Sequence, residues 1–385
     1  MKQYFSLTVL SPDVDCALKP ARVLDKSAAF TDDYCAEKRR WQAGPCAARM
    51  KDGRILCTFS GDNFDPKRDY VQSKAMGEYG EGEGPNNYHV IVISADEGQT
   101  WAPVAVVDHE DSVRLHEPLV WVDAHGTPYC FWNQSYRWWD DRAGVWMIKA
   151  SIEEDGTLVW SAPVRLCDGV MAQTPTETKA GKILLPVSIW KKYKSGYHTA
   201  PEELSDPCVY ELRGDTAVFL GRAHIEDTDF DENSVVERAD GSLMMIARCL
   251  HAVRGSTSED GGKTWSEPFK IMRHMSSRSF LSEFPSGHLL LVTNDHDTDR
   301  CNMTAFLSED GGKTWPYRLL LDARSSVSYP AGMVDENGRA CLAYDHGRVT
   351  DREVFLACFT EEDVKNGKLG ENSYVRLVCK AGEAQ

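Results

Sequence analysis

The sequence predicts an all-β protein, a six-bladed β-propeller in which each blade is a small antiparallel sheet. Two observations lead to this fold class. One eight-residue motif occurs three times in the chain, and landmarks of strand and turn recur at intervals of roughly 50 to 57 residues, which suits a four-stranded propeller blade. Long helical periodicity is absent, and a single short capped helical turn is expected at 360–367.

The repeated motif is S-x-D-x-G-x-T-W, and each copy follows a run of strand-like residues. Its three copies occupy residues 94–101, 258–265 and 308–315. In such a turn the Asp can accept hydrogen bonds from backbone N–H groups, and the Gly supplies the positive φ of a tight reversal. The Trp that follows can pack against the hairpin. The motif therefore predicts a structural β-hairpin, and we assign its acidic residues no part in catalysis.

Weaker signals indicate the remaining blades. A degenerate copy of the motif lies at 151–160, and two further strand signals lie at 205–210 and 354–360. Other stretches have the pattern of a β-hairpin, with an apolar strand on each side of an Asp-Gly or Asn-Gly turn. These are 49–57, 235–245 and 333–343.

Composition and charge limit the classes of function. The 385 residues carry a formal net charge of −16, which argues against nucleic acid and anionic membranes as partners, because both bind a surplus of Lys and Arg. A basic pocket inside an acidic protein stays possible. No linker or break in composition divides the chain, so we expect a single propeller domain over 1–385 with its core at about 40–360.

The cysteines and the N-terminus bear on cofactors and compartment. The twelve cysteines include no C-x-x-C pair and no Cys/His spacing typical of a metal site, so we expect free thiols, no metal and no other cofactor. Residues 1–13 contain one Lys and an apolar run broken by polar residues, which is a poor match to a signal peptide. We therefore expect a cytoplasmic protein, and the sequence leaves its oligomeric state open.

The repeated hairpins resemble the Asp boxes, or BNR repeats, of the sialidase (neuraminidase) superfamily, and their spacing resembles its six-bladed propeller. The resemblance covers roughly residues 40–360. It implies a glycan substrate and a retaining exo-glycosidase mechanism with a tyrosine nucleophile. In that superfamily a glutamate activates the tyrosine, an aspartate is the acid/base, and three arginines hold the substrate carboxylate. Asp boxes alone indicate little about activity, so these residues must be matched one by one.

Four residues match the catalytic pattern of that superfamily. The stretch 231–248 resembles the region before an Asp box, which implies that Glu232 is the base and Arg248 a carboxylate-binding arginine. Arg300 resembles the third arginine, at the start of an inner strand. Tyr329 resembles the nucleophile. For each residue a structural or solvent-facing role is the alternative.

The start of the chain departs from the superfamily pattern. Ala43 stands where an Arg-Ile-Pro motif would supply the first arginine, and Arg39 and Arg40 are offset by three or four positions. This departure weakens the match to ordinary sialic acid. Our candidate for the acid/base is Asp62, which closes an apolar strand. The Gly-rich stretch 61–88 that follows is long for a blade connection, and we expect a lid or subsite there.

Two alternatives to a sialidase-like hydrolase stay open. One is a propeller hydrolase or lyase that acts on another acidic or deoxy sugar, which the departure at Ala43 favours. The other is a carbohydrate-binding propeller without catalytic activity. The aromatic and basic stretch 135–142 fits either sugar stacking or a structural cluster, and residues 116–118 (His-Glu-Pro) are interpreted as structural. The enzyme hypotheses require the four matched residues to converge in one funnel.

Overall fold

The structure is a computed structural model. It describes residues 14–63, 87–111, 113–135, 142–189 and 206–382, without the side chains of Asp229 and Asp231. Over these residues six antiparallel sheets form a six-bladed β-propeller, so the predicted fold class is confirmed. No helix within these ranges is long and apolar enough to cross a bilayer.

The first three blades are five-stranded sheets. The first contains β1 (Arg22–Asp25), β2 (Trp41–Arg49), β3 (Ile55–Asp62), β4 (Tyr88–Ser94) and β5 (Ala102–Asp108). The second contains β6 (Arg114–Val122), β7 (Pro128–Ser135), β8 (Gly144–Ile152), β9 (Leu158–Trp160) and β10 (Val164–Asp168). The third contains β11 (Val170–Met171), β12 (Thr176–Glu177), β13 (Ile183–Ser188), β14 (Pro207–Arg213) and β15 (Thr216–Arg222).

The last three blades are four-stranded sheets, each formed by consecutive strands. The fourth contains β16 (Thr228–Glu237), β17 (Leu243–Cys249), β18 (Ala252–Ser258) and β19 (Phe269–Arg273). The fifth contains β20 (Phe280–Glu283), β21 (Leu289–Asn294), β22 (Cys301–Ser308) and β23 (Tyr317–Ser325). The sixth contains β24 (Val327–Val334), β25 (Arg339–His346), β26 (Glu353–Thr360) and β27 (Tyr374–Lys380).

Short helical segments connect or precede the strands. Three 3-10 turns lie at Val14–Leu18, Lys26–Phe30 and Ala36–Lys38. The predicted capped turn is the helix α1 (Glu361–Asn366). The side chain of its N-cap Thr360 accepts a hydrogen bond from the Asp363 backbone N–H, and the Thr360 backbone N–H donates one to the Asp363 carboxylate in return, which is the reciprocal pattern of a capping box.

In each blade the inner strand is the one nearest the central channel of the propeller. The inner strands of neighbouring blades contact one another around this channel. β2 contacts β6 and β24, and β20 contacts β16 and β24. We call the end of the channel where these inner strands begin the upper face, and the end where they finish the lower face. Strands alternate in direction within each blade. The inner strand and the third strand counted outward from it therefore both begin at the upper face.

The three copies of the repeated motif form the same turn on the lower face. Asp260 Oδ1 accepts hydrogen bonds from the backbone N–H of Lys263 (3.0 Å) and Thr264 (2.9 Å), and its Oδ2 accepts the Thr264 hydroxyl (2.7 Å). Asp96 and Asp310 make the same three bonds in the other copies. The predicted hairpin is therefore confirmed, and its Asp residues hold the turn together.

The glycine and the tryptophan of the motif complete this turn. Gly262 has φ +91°, and an added Cβ would lie 3.4 Å from Leu243. Trp265 Nε1 donates to the Gly262 carbonyl at 3.0 Å, and the ring packs against a buried cluster that includes Leu243. The degenerate copy at 151–160 also forms a hairpin, between β8 and β9, in which Asp155 accepts a hydrogen bond from the Thr157 backbone (2.9 Å).

Buried apolar side chains between the sheets form the core. Phe131 and Trp132 of β7 are among the largest fully buried side chains. All twelve cysteines are free thiols, as expected, and ten of them are buried, so packing rather than disulfide bonds joins the blades. β1 and β27 extend the sheets beyond the expected core of about 40–360.

Candidate active site

Three inner strands share one irregularity near the upper face. β2, β6 and β24 each have a register shift at a residue with positive φ that precedes a proline. These pairs are Gly44-Pro45, Glu117-Pro118 and Tyr329-Pro330. Proline has no N–H to lose from the ladder, and a bulge redirects the neighbouring side chain. The residue before each proline lines one shared small cavity.

Tyr329 lies at the centre of a group of arginines. The guanidinium carbons of Arg348, Arg278 and Arg300 lie 3.7, 4.1 and 5.0 Å from its ring centroid. Arg248 Nη1 donates to the phenolic oxygen at 3.3 Å. Cations within about 6 Å of an aromatic centroid are attracted to the ring, so four arginines from three blades hold this side chain.

Glu232 is a buried carboxylate between two of these arginines. Its Oε2 accepts a hydrogen bond from Arg248 Nη1 at 3.0 Å, and its Oε1 accepts one from Arg278 Nη2 at 3.1 Å. Burial alone would raise the pKa of Glu232, but the two guanidinium groups outweigh burial and lower the pKa to about 2. Glu232 is therefore ionised at neutral pH.

Arg278 connects Glu232 to a second carboxylate. Its Nη1 lies 2.6 Å from Glu117 Oε2, and the Arg278 side chain is 1% exposed. Burial would lower the pKa of Arg278, but Glu117 and Glu232 outweigh this effect and raise the pKa well above its usual value. The three side chains form a buried charged network beside the Tyr329 ring.

Around Tyr329 positive charge exceeds negative charge. Among the described residues, five arginines and three carboxylates contact the tyrosine, line its cavity or bind these groups. They are Arg114, Arg248, Arg278, Arg300 and Arg348 with Glu117, Glu232 and Asp345. Burial first, and then the arginines, lower the pKa of His116 well below its usual value and that of His274 to about 3, so both are neutral. The excess of positive charge suits an anionic ligand.

The structure brings together four residues that the sequence predicted. Glu232, Arg248, Arg300 and Tyr329 converge at the upper face through the contacts given above. The expected position of Arg300 was wrong, because it precedes β22, the third strand of its blade, and not an inner strand. A third strand begins at the same face as the inner strand, so Arg300 still reaches Tyr329.

Asp62 lies beside this group without lining its cavity. In the register of β2 and β3, Asp62 is opposite Trp41 and Ser60 is opposite Ala43. Trp41, Ala43 and Ser60 line the cavity, whereas Asp62 is buried and does not line it in the part of the chain that is described. Side chains two residues apart on a strand share a face, so Asp62 is on the cavity side of β3.

Some expectations fall outside the described residues. Most of the expected lid or subsite at 61–88 lies in 64–86, which the structure does not describe. Most of the stretch 135–142 is outside them as well, because 136–141 are not described.

Ala43 contributes no positive charge to the cavity, and neither Arg39 nor Arg40 contributes one in its place. Arg39 is buried and donates to the Tyr88 hydroxyl at 3.1 Å and to the Tyr34 carbonyl at 3.0 Å. Arg40 is exposed to solvent. The departure that the sequence indicated at Ala43 is thus also present in the three-dimensional arrangement.

Sequence reasoning missed Arg278 and Arg348 and interpreted Glu117 as structural. Glu117 had a usable signal, since Glu117-Pro118 and Tyr329-Pro330 occupy equivalent places on two inner strands. The two arginines had no comparable signal. Arg278 precedes β20, and Arg348 lies in the hairpin between β25 and β26. These two arginines meet at Tyr329 only because the six blades close into a ring.

One group of possible metal ligands occurs among the described residues, away from this cavity. His288, Glu309 and Glu361 offer ligand atoms within 4.8 Å of one another. Lys365 Nζ lies 2.8 Å from Glu309 and 2.9 Å from Glu361. Its ammonium group already compensates these carboxylates, so the arrangement does not fit a metal ion well.

Comparison with known proteins places this architecture among Asp-box propellers. Residues 71–342 match the family described as BNR repeat-like domain. No curated protein matches the chain in sequence.

Solved structures share the fold at low sequence identity. Hadza microbial sialidase Hz136 superposes with a TM-score of 0.66 and 18% identity over 84% of this chain and 66% of its own length. A protein of unknown function from Dyadobacter fermentans gives 0.61 and 19% over 86% and 95%. The intramolecular trans-sialidase from Ruminococcus gnavus gives 0.57 and 13% over 86% and 96%. The chain thus spans 66% of the length of the first of these, and the similarities establish a common propeller fold.

Proposed function

Because the chain belongs to the BNR repeat-like domain family, we propose that it is a sialidase-like exo-glycoside hydrolase that removes a terminal acidic sugar with retention of configuration. The observation that carries this proposal is the convergence of Tyr329, Glu232 and several arginines beside one cavity with excess positive charge. The fold shared with a sialidase and a trans-sialidase supports a glycan as the substrate class.

In the proposed mechanism Tyr329 attacks the anomeric carbon of the sugar. A sugar of the sialic acid type carries a carboxylate on that carbon, so a neutral phenol meets less repulsion than an anionic Asp or Glu would. The product is a covalent glycosyl-tyrosine, which water then hydrolyses. The backbone of Tyr329 has φ +59°, and strained backbone of this kind is common at functional positions.

Arg248 links substrate binding to the base. Its Nη1 lies 3.0 Å from Glu232 and 3.3 Å from the Tyr329 hydroxyl. A substrate carboxylate held by Arg248 and Arg300 would compete with Glu232 for this guanidinium group. Glu232 would then regain an oxygen that can accept the Tyr329 proton. Substrate binding would in this way prepare the base, whose basicity the two arginines otherwise suppress.

Asp62 is the proposed acid/base. It lies on the cavity side of β3, one step closer to the upper face than Ser60. From there it would protonate the leaving oxygen in the first step and take a proton from water in the second. This role requires that the carboxyl be protonated when substrate binds.

A second candidate is a propeller hydrolase or lyase that acts on another acidic sugar, such as a uronic acid. Two observations favour it over a sialidase in the strict sense. β2 contributes Ala43 and no arginine to the cavity, and Glu232 accepts hydrogen bonds from Arg278 and Arg248 rather than from the Tyr329 hydroxyl. A carbohydrate-binding propeller without activity is the third possibility, and the same experiment addresses it.

The experiment compares aryl glycosides of sialic, deaminated and uronic sugars with wild-type protein and Tyr329→Phe. We expect one acidic glycoside to be cleaved and Tyr329→Phe to lose about 1,000-fold or more in kcat with an unchanged melting temperature, because only the nucleophilic oxygen is removed. Tyr317→Phe, a partly exposed tyrosine on β23, is the matched control and should retain full activity.

Each outcome distinguishes between the candidates. Cleavage of uronic glycosides alone would favour the second candidate, and binding without any cleavage would favour the third. Full activity of Tyr329→Phe on whichever glycoside is cleaved would show that the mechanism is wrong.

A further inference from the structure

Two cysteines face each other in the sixth blade. Cys341 on β25 and Cys358 on β26 are directly opposite in the antiparallel register, and their sulfur atoms lie 2.7 Å apart. Opposite residues of an antiparallel pair have Cα atoms about 4.5 to 5.5 Å apart, which is within the range that a disulfide bond spans. The backbone therefore holds the two thiols where a bond between them can form.

The two thiols differ in their tendency to ionise. Burial alone would raise the pKa of Cys358, but Cys341, Tyr374, Arg49 and Arg339 together outweigh burial and lower the pKa below its usual value. The hydrogen bond to Cys358 and burial raise the pKa of Cys341 well above its usual value. Because the thiolate is the reactive form of cysteine, Cys358 is suited to attack first and Cys341 to attack second.

The lower end of the channel gives a route to this pair. Arg49 and Arg339 line the cavity of about 760 Å³ at that end, and their side chains are 11% and 21% exposed. Both arginines also lie close enough to Cys358 to lower its pKa. Solvent in the cavity is thus separated from the buried thiols by these side chains, which favours a small and uncharged oxidant.

We propose that Cys341 and Cys358 form an oxidation site at which hydrogen peroxide converts the two thiols into one reversible disulfide bond. The Cys358 thiolate attacks one oxygen of the peroxide, the O–O bond breaks, and the departing hydroxide takes up the proton that Cys358 released on ionisation. The Cys341 sulfur then attacks the sulfur of this sulfenic acid, the S–O bond breaks, and water leaves with the Cys341 proton. The two sulfur atoms together lose two electrons, which the peroxide gains.

The bond forms at the junction that closes the ring of blades. Both cysteines belong to the same buried cluster as Ile55 and Cys57 of β3 in the first blade. All four strands of the sixth blade follow one another in the chain, so side-chain packing of this kind holds the last blade against the first. A disulfide bond between β25 and β26 stabilises the sixth blade at this junction, because the cross-link restricts the unfolded chain.

The test treats the full chain with hydrogen peroxide, removes the excess with catalase, alkylates the remaining thiols in denaturant and maps the peptides by mass spectrometry. We expect the wild-type protein to lose two of its twelve thiols, with the peptides of Cys341 and Cys358 joined, and dithiothreitol to restore both thiols. The midpoint of urea unfolding should be higher before dithiothreitol than after it. These measurements use the wild-type protein and do not depend on the folding of a variant.

Three variants provide the controls. Cys358→Ala should abolish both the linkage and the rise in the urea midpoint. Cys130→Ala, which changes an equally buried cysteine on β7 of the second blade, should keep both. In Cys341→Ala the second thiol is missing, so the sulfenic acid on Cys358 should persist and react with dimedone. Cys341 should react with dimedone much less in Cys358→Ala, because it is the less ionised thiol.

Several results would overturn the inference. They are separate peptides of Cys341 and Cys358 after oxidation, a linkage that dithiothreitol does not reverse, a urea midpoint that does not rise, and dimedone labelling of Cys341 in preference to Cys358. The two cysteines take no part in the proposed hydrolysis of a glycoside. Failure of the oxidation site would therefore leave the proposed function intact, and a protein that cleaves no glycoside could still form this disulfide bond.

Discussion

The Asp boxes of the lower face and the charged cluster of the upper face use acidic residues in opposite ways. On the lower face the carboxylates of Asp96, Asp260 and Asp310 accept hydrogen bonds from residues three and four positions further along the same turn. Near the upper face Glu117 and Glu232 pair with arginines from other strands and blades. Local contacts thus hold the three Asp-box turns, whereas contacts between distant segments hold the charged groups around Tyr329.

The source of these contacts distinguishes structural carboxylates from those of the candidate active site more clearly than cavity size does. The lower end of the channel opens into a cavity of about 760 Å³, far larger than the space beside Tyr329. Its acidic residues include Asp123 and Asp335, which accept backbone N–H groups of their own turns. The candidate nucleophile, the candidate base and several arginines meet at the upper face, and this combination, rather than cavity volume, identifies it as the candidate active site.

Among the substitutions that test this contrast, Arg278→Ala should have the largest effect on the free energy of unfolding. Arg278→Ala leaves the buried Glu232 and the partly buried Glu117 without their shared cation, and breaking a buried ion pair from one side costs about 3–5 kcal/mol. We expect a loss of that size in the free energy of unfolding, together with loss of activity. Urea unfolding followed by tryptophan fluorescence measures it.

Arg300→Ala is the control for this comparison. Arg300 also contacts the Tyr329 ring, but it is partly exposed, and its hydrogen bond to the Ser276 carbonyl is long at 3.5 Å. We expect it to lose less than about 1 kcal/mol in unfolding free energy, as is typical of less buried positions. Equal losses for the two variants would mean that the network around Arg278 is no more important for stability than a peripheral arginine.

Local chemistry explains why the fold could be predicted. The Asp, Gly and Trp of each repeat act within a single turn, as the bonds of Asp260 and Trp265 illustrate. A motif of this kind is legible in eight consecutive residues. The hairpin turns between apolar strands and the capped helix at Thr360 were predictable for the same reason.

The candidate site was predictable only in part, because its geometry depends on closure of the ring. Glu232 and Arg248 were found since they are 16 residues apart in one motif. Arg278 and Arg348 reach Tyr329 from separate segments, with no local pattern that indicates it. Glu117 was interpreted as structural because the similarity of its proline bulge to that of Tyr329 is evident only in the structure. Resemblance to the superfamily identified the site residues that lie within motifs. The other site residues became evident only from the packing of the blades.

A smaller effect is expected from one Asp box on the lower face. Asp260→Ala removes the acceptor for the Thr264 N–H, the Thr264 hydroxyl and the Lys263 N–H, which should lower the free energy of unfolding by less than Arg278→Ala does. Activity of the folded protein should not change, because the turn lies at the opposite face. Glu259→Ala, at the exposed neighbouring position, should cost less than about 0.5 kcal/mol. A loss of kcat in Asp260→Ala would contradict the separation of the two faces.

The smallest effect should appear in the pH dependence of stability when an Asp box keeps its oxygen acceptor but loses its charge. Hydrogen bonds from the Thr100 hydroxyl and backbone lower the pKa of Asp96 to about 2, below the value of about 3.9 in an unfolded chain. The ionised form is thus favoured by folding, and its contribution to stability is present above pH 4 and is lost as the pH falls toward 2. Asp96→Asn should therefore be less stable than wild type at pH 6, and this difference should shrink steadily in urea unfolding between pH 4 and pH 2. A difference that stays constant over that range would mean that the geometry of the acceptor, rather than its charge, stabilises the lower-face turns.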